Sequence, residues 1–291
     1  MPVLSYVSAP LPLLAGARFA PAVKVPGGVR PSGSRLTGSD LGLLLLVLDG
    51  AGMANAPNVM RLPQATITHA LQRQHPGRII AALKRLRGTD IMLGANVMPA
   101  VVAFDHVGRG TDPRYWDIKL DRRVVELVRA SIRATQRIDI KTDDLRSLTS
   151  RYSFALYGRW LAMLAGEFPR AEEIGLRAKR PVERTIEVKV PVEILGEIFG
   201  YYTPLRQSEI ERWLVTKAKT CAIGRELRDA GVAADIVPLR EEATGRIDRL
   251  VIMLTAIGTK GLAYLQASQR HASILAGNRR ERRLAREKAA I

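Results

Sequence analysis

Residues 208–256 carry the pattern that decides the fold, SEIERWLVTKAKTCAIGRELRDAGVAADIVPLREEATGRIDRLVIMLTA. Ser208 followed by Glu211 forms a capping box, and Gly231 is the residue type that ends helices, so the pattern predicts one long helix over 208–230. Two strands are predicted next, over 234–241 and 246–256, joined by a turn at 242–245. A helix followed by a β-hairpin is typical of the last part of a winged helix, in which the third helix enters the major groove of DNA.

The preceding residues supply the rest of that order. Residues 185–190 alternate between apolar and polar side chains, which predicts a half-buried strand, and residues 191–199 predict a short helix closed by Gly200. Tyr152 to Ala165 is amphipathic, with an apolar face of Phe154, Leu156, Tyr157, Trp160, Leu161 and Leu164. We therefore expect a second winged-helix, DNA-binding domain over 148–258.

The first half of the chain predicts the same order. Ser39 or Asp40 can cap a helix that starts at Leu41, a short helix opens near Pro63, and a third helix covers 76–87. Strands are predicted over 100–107 and 116–120, and a further helix over 121–134. The expected fold class is α+β, with two tandem winged-helix domains. The first, over 39–134, would serve dimerisation or DNA binding.

Three segments lie outside these domains. Residues 1–38 are rich in Pro and Gly and predict a flexible extension, and residues 135–147 predict a polar linker. Residues 259–291 predict a basic helical tail, with eight Lys or Arg against two Glu, a net charge of +6.

The charge balance narrows the class of partner. There are 45 Lys and Arg against 28 Asp and Glu, a formal net charge of +17, and the sequence pI is about 10.6. Such a surplus favours a nucleic-acid partner, with an anionic membrane surface or the ribosome as alternatives. The longest apolar run, 41–48, is too short to cross a bilayer, so no membrane partner is expected. The lone Cys221 excludes an internal disulfide and fits a reducing, cytoplasmic location.

The predicted DNA-contacting residues share basic or hydrogen-bonding side chains. Arg and Gln can bond bidentately to guanine and adenine edges, whereas Lys and Thr mostly contact phosphates. The alternative for each residue is a solvated helix face. The set comprises Arg206, Gln207, Arg212, Thr216, Lys217, Lys219 and Arg225 around the 208–230 helix, Arg240, Thr244, Arg246 and Arg249 on the hairpin, and Arg78, Lys84 and Arg85 in the first domain.

Patterns typical of enzymes are missing from the sequence. It contains no G-x-x-x-x-G-K-[ST] phosphate loop, and its histidines, His69, His75, His106 and His271, are too scattered for a metal site. Adjacent acids such as Asp143 and Asp144 point in different directions on a regular element. We therefore expect no enzymatic activity, no cofactor, no metal and no catalytic residue.

Residues 150–157, SRYSFALY, resemble the Tyr-x-x-x-Leu-Tyr helix that opens the second domain of plasmid replication initiators with tandem winged-helix domains. The resemblance extends through 115–256 and implies that monomers bind repeated origin DNA and recruit the host initiator and replicative helicase. Dimers formed through the first domain would bind an inverted repeat and repress the initiator's own gene. The DNA contacts that the resemblance implies include Arg206, Arg212, Lys219 and Arg246. The Pro/Gly-rich extension and the longer basic tail depart from the family pattern.

Two other functions remain open from the sequence alone. A winged-helix transcriptional repressor without a replication role would have the same fold. A ribosome- or RNA-associated structural protein would share the basic tail and the strong salt dependence of binding.

Overall fold

The computed structural model describes residues 5–21, 36–53, 58–71, 76–108, 114–134, 136–165, 177–178, 185–199, 208, 210–211, 214 and 222–266. These residues form helices and several small sheets, and every strand pair among them is antiparallel. The mixed helix-and-strand composition expected from the sequence is therefore confirmed.

The first unit begins with three helices and a strand. Its helices are α2 (Gly38–Met53), α3 (Gln64–Leu71) and α4 (Pro76–Arg87), and β3 (Val59–Pro63) lies between α2 and α3. Helix α2 is apolar nearly all round, and residues 41–49 are all buried, so it forms the centre of the core. The helix continues through Gly50 to Met53.

Two hairpins and a helix complete the first unit. The sequence did not predict the hairpin of β4 (Thr89–Leu93) and β5 (Asn96–Pro99). The predicted strands appear as β6 (Ala103–Val107) and β7 (Tyr115–Lys119), followed by α5 (Arg122–Arg133). Strand β7 pairs with both β3 and β6, which gives the sheet order β3-β7-β6.

The second unit also combines helices with an antiparallel sheet. It contains α7 (Arg151–Leu164), the short β9 (Arg177–Ala178), β10 (Thr185–Pro191), α8 (Val192–Ile198), α9 (Ala222–Asp229), β11 (Val232–Arg240) and β12 (Ile247–Ala256). The sheet order is β11-β12-β10-β9. In the first unit β7 therefore lies between β3 and β6, and in the second unit β12 lies between β10 and β11.

The predicted end of the 208–230 helix is confirmed. Helix α9 spans Ala222–Asp229, and Gly231 follows with φ +87°, a left-handed conformation that glycine adopts without steric cost. A Cβ at Gly231 would also lie 2.6 Å from the backbone nitrogen of Gly261. Most of residues 200–221 lie outside the described residues.

The expected flexible N-terminal extension is wrong for residues 5–21. They form β1 (Tyr6–Pro10), α1 (Leu11–Gly16) and β2 (Arg18–Pro21), in which Val7, Ala9 and Leu11 are fully buried. Strand β2 pairs with β4 of the first unit, and α1 packs on α7 of the second. Burial of these apolar residues stabilises the segment. Its prolines favoured the prediction of a flexible extension. Residues 1–4 and 22–35 lie outside the described residues.

The expected polar linker at 135–147 is also wrong. Residues there form β8 (Arg137–Lys141), which pairs with β1, and α6 (Thr142–Ser147), in which Asp144 and Leu145 are buried. The predicted basic tail begins as α10, residues 258–266. It is fixed where the Tyr264 hydroxyl donates to Asp144 Oδ2 at 2.7 Å and Lys260 Nζ lies 3.2 Å from Asp144 Oδ1. Residues 267–291 lie outside the described residues.

Candidate nucleic-acid interface

Helix α4, the third helix of the first unit, has one buried and one exposed face. Its buried face consists of Ile79, Ala82, Leu83 and Leu86. Arg78 and Lys84 are exposed on the other face, as is Gly77 at the helix start.

Arg85, a predicted DNA contact, is held within the protein. Its Nε and Nη2 atoms donate to the two carboxylate oxygens of Asp40, each at 2.8 Å, and the Asp40 side chain is fully buried. Hydrogen bonding to Asp40 raises the pKa of Arg85, so the guanidinium stays charged. A bidentate pair of this kind fixes the arginine geometrically, so we correct its assignment from DNA contact to structural residue.

The hairpin of β6 and β7 is anchored to the start of α3. The His106 ring stacks on Trp116 with ring centroids 4.4 Å apart, and His106 Nε2 lies 3.2 Å from Gln64 Oε1. Arg114, at the end of the turn, is exposed and close in sequence to the hairpin tip. Arg114 is not among the DNA contacts predicted from the sequence, although the turn residues at 108–113, with two glycines, indicate a hairpin tip beside it. Residues 109–113 lie outside the described residues.

The 208–230 segment is described only in part, at residues 208, 210–211, 214 and 222–230. Arg225 and Arg228 are exposed on α9. Ser208 and Glu211 of the predicted capping box are both exposed, and Glu211 Oε1 lies 3.8 Å from Arg240 Nη1, so the start of this helix is close to the hairpin. The predicted contacts Arg206, Gln207, Arg212, Thr216, Lys217 and Lys219 lie outside the described residues.

The turn between β11 and β12 is held by hydrogen bonds within the protein. Gly245 has φ +67°, and its N–H donates to the Glu241 carbonyl at 2.9 Å. The Thr244 hydroxyl donates to Glu241 Oε2 at 2.7 Å and accepts from the Arg246 backbone N–H at 3.2 Å. Arg240 Nη1 donates to the Gly245 carbonyl at 2.7 Å. These bonds connect the two ends of the turn to each other.

The charge of this second hairpin is more balanced than the sequence analysis assumed. Residues 240–249 contain three arginines and three carboxylates. Arg249 Nε lies 3.0 Å from Asp248 Oδ2, and Arg240 is close to Glu211. Arg246 is exposed at the turn. Among the predicted hairpin cations, Arg246 is therefore the best placed to meet a phosphate.

Comparisons with known proteins add no relative. No protein-family model matches the chain, and no curated protein matches it significantly. Across the described ranges, His, Cys, Asp and Glu side chains nowhere gather in threes as a metal ion would require. None of the helices in the same ranges combines the length and the apolar character needed to cross a membrane.

Proposed function

We propose that the chain is a sequence-specific DNA-binding protein with two tandem winged-helix units, and that it acts as a plasmid replication initiator. The observation that carries the proposal is the repeated topology. In both units a helix and a strand precede two helices and a β-hairpin (β6–β7 and β11–β12), and the second strand of that hairpin lies between the first and the earlier strand; the first unit also carries the hairpin β4–β5 and the second the short strand β9. This is the order in which a winged helix presents its third helix and hairpin to one duplex.

Charge and exposure support the same function. Arg78 and Lys84 on α4, Arg225 on α9 and Arg246 on the second hairpin are exposed cations on the elements that a winged helix directs at DNA. The chain carries a net charge of +17, and binding to a polyanion such as DNA would reduce the repulsion among its positive charges. Two units in one chain favour a long or repeated target, as at a replication origin.

Footprinting of the DNA that flanks the gene tests the proposal directly. An initiator protects repeats spaced by about two helical turns, roughly 20 base pairs, while a repressor protects only an inverted repeat. Deleting the gene from its plasmid separates these functions further, since only loss of an initiator stops replication. Absence of any protected segment, with equal binding to duplex RNA, would instead favour an RNA-associated structural protein.

The remaining roles follow from the initiator proposal. A monomer would occupy origin repeats and recruit the host initiator and helicase, and a dimer would repress the gene. Because autorepression needs dimers, operator binding should rise steeply with protein concentration while origin binding does not. Sedimentation velocity alongside gel-shift titration measures both.

A further inference from the structure

A chain of hydrogen bonds begins on α4 and leads to the start of α2. Arg85 of α4 binds Asp40, and Asp40 Oδ2 also accepts the Thr37 backbone N–H at 2.8 Å. The Thr37 hydroxyl in turn accepts the Asp40 backbone N–H at 3.2 Å. This reciprocal capping fixes the first turn of α2, so α4 and the start of α2 are held together.

The same turn of α2 is joined to the segment before α7. The Gly38 N–H donates to the Thr149 carbonyl at 2.8 Å. A Cβ on Gly38 would lie 2.2 Å from the Leu148 carbonyl oxygen, so a glycine is required for this approach. The contact crosses from the first unit to residues that lead directly into the second.

Glu226 completes the connection on α9. One of its carboxylate oxygens accepts the Thr149 hydroxyl, and the other accepts the Ser150 backbone N–H at 2.9 Å. Ser150 is the N-cap residue of α7. Glu226 therefore joins α9 to the residues that Gly38 contacts.

We infer that Asp40, Thr149 and Glu226 are positioning residues, which fix the orientation of α4 relative to α9 and so set the spacing of the two DNA segments that the protein reads. The bonds from Arg85 to Glu226 form one continuous network, named here the inter-unit network. This inference rests on the proposed function, because spacing has meaning only if both units bind one duplex. A residue that touches no base then contributes to specificity.

A measurement without DNA tests the orientation. Spin labels are placed on the exposed positions Lys84→Cys and Arg228→Cys, with Cys221→Ser removing the native thiol, and pulsed electron paramagnetic resonance gives the distance distribution. Thr149→Val should broaden it, whereas Thr149→Ser keeps the hydroxyl and should leave it narrow. Arg61→Gln, which breaks an exposed ion pair with Asp117 outside the network, is the control. Equal widths for Thr149→Val and Thr149→Ser overturn the inference.

A measurement with DNA tests the spacing. A duplex is selected from a random pool with the wild-type protein, and two base pairs are inserted between the segments protected from cleavage. Wild-type affinity should fall about tenfold or more, as when one unit loses its base contacts. Glu226→Gln, which removes the carboxylate charge at nearly constant volume, should show a clearly smaller loss.

The outcomes separate the two proposals. Equal losses for wild type and Glu226→Gln, or tolerance of the insertion by wild type, refute the spacing inference. Failure to select any duplex refutes the proposed function, while the spin-label widths still decide whether the network orients the two helices.

Discussion

Replacing Asp40 by Asn tests whether the first unit depends on its buried ion pair. The Asp40 side chain is fully buried and the Arg85 side chain is 23% exposed. Asp40→Asn removes the negative charge but keeps an oxygen that can still accept the Thr37 N–H. Arg85 would then be a partly buried cation without its counter-charge.

The burial of this ion pair determines how much stability Asp40→Asn should remove. Removing one partner of a fully buried pair costs about 3–5 kcal/mol, because the other charge stays desolvated. Since Arg85 can recover some hydration, we expect a loss of about 3 kcal/mol in the free energy of unfolding. At about 2 °C for each kcal/mol, Tm should fall by about 6 °C.

Urea denaturation followed by circular dichroism measures this loss. Arg85→Met should cost at least as much, because it leaves the Asp40 charge buried. The double variant should cost less than the sum of the two single variants, by about 2 kcal/mol. A loss under about 1 kcal/mol for Asp40→Asn, or strictly additive losses, would refute the reasoning.

Three further predictions concern a turn, a helix cap and the proposed DNA-binding surface. Gly231→Ala should destabilise the fold by more than about 2 kcal/mol in urea denaturation, since φ is +87° and the added Cβ would lie 2.6 Å from the Gly261 nitrogen. Asp121→Ala should cost about 1 kcal/mol at pH 7, because its carboxylate caps α5 at the Arg123 N–H, 2.8 Å away. Hydrogen bonding to Arg123 lowers the pKa of Asp121 below 3.8, so the charge-dependent part of this stability is present above pH 3.8 and lost as pH falls through the folded pKa. The combined change Arg78→Ala and Lys84→Ala should reduce the slope of log affinity against log salt by about 2.

Each of these has a matched control. Gly245 also has a positive φ, but nothing lies within 4 Å of an added Cβ, so Gly245→Ala should cost clearly less than the change at Gly231. Asp121→Asn can still cap α5 and should lose less than Asp121→Ala, and a constant loss from pH 7 to pH 2 would contradict the assignment of its charge. Arg122→Ala removes an exposed cation from α5, and a salt slope reduced as much there as on α4 would count against the proposed surface.

Local patterns were sufficient for the elements whose partners are close in sequence. The apolar spacing of α4 and its exposed Arg78 are visible in the sequence, as are β11 and β12 around their glycine turn. These elements need only helical periodicity, strand alternation and turn chemistry. The two strands of a hairpin are adjacent in sequence, so their pairing can be predicted without knowing the rest of the fold.

Elements that pair over long distances were missed. Ile138 and Ile140 alternate with polar residues in a way that a strand explains, but the polar neighbours and the absence of a nearby partner favoured a linker. The partner strand is β1, which was not predicted because it is short and ends at Pro10. Tertiary burial decided both cases, and no local propensity could show it.

The candidate site likewise contains some features that the local sequence predicts and others that depend on distant residues. Exposure of Lys84 could be predicted from helical spacing, since it needs no knowledge of other elements. The structural role of Arg85 could not, because Asp40 lies 45 residues away and looks like an ordinary cap residue in sequence. Glu226 was similarly hidden, since its partners are 76 and 77 residues away.

The pairing of β1 with β8 has a consequence for synthesis on the ribosome. Tyr6 pairs with Lys141 and Pro10 with Arg137, so β1 is translated long before its partner exists. At about 5–20 residues per second, translation of the intervening segment leaves β1 without its partner for roughly 6–26 seconds. During that time its edge is open to pairing with other nascent chains. A fragment that stops before residue 137 never gains the partner strand, so the first unit should be expressed with β8 included.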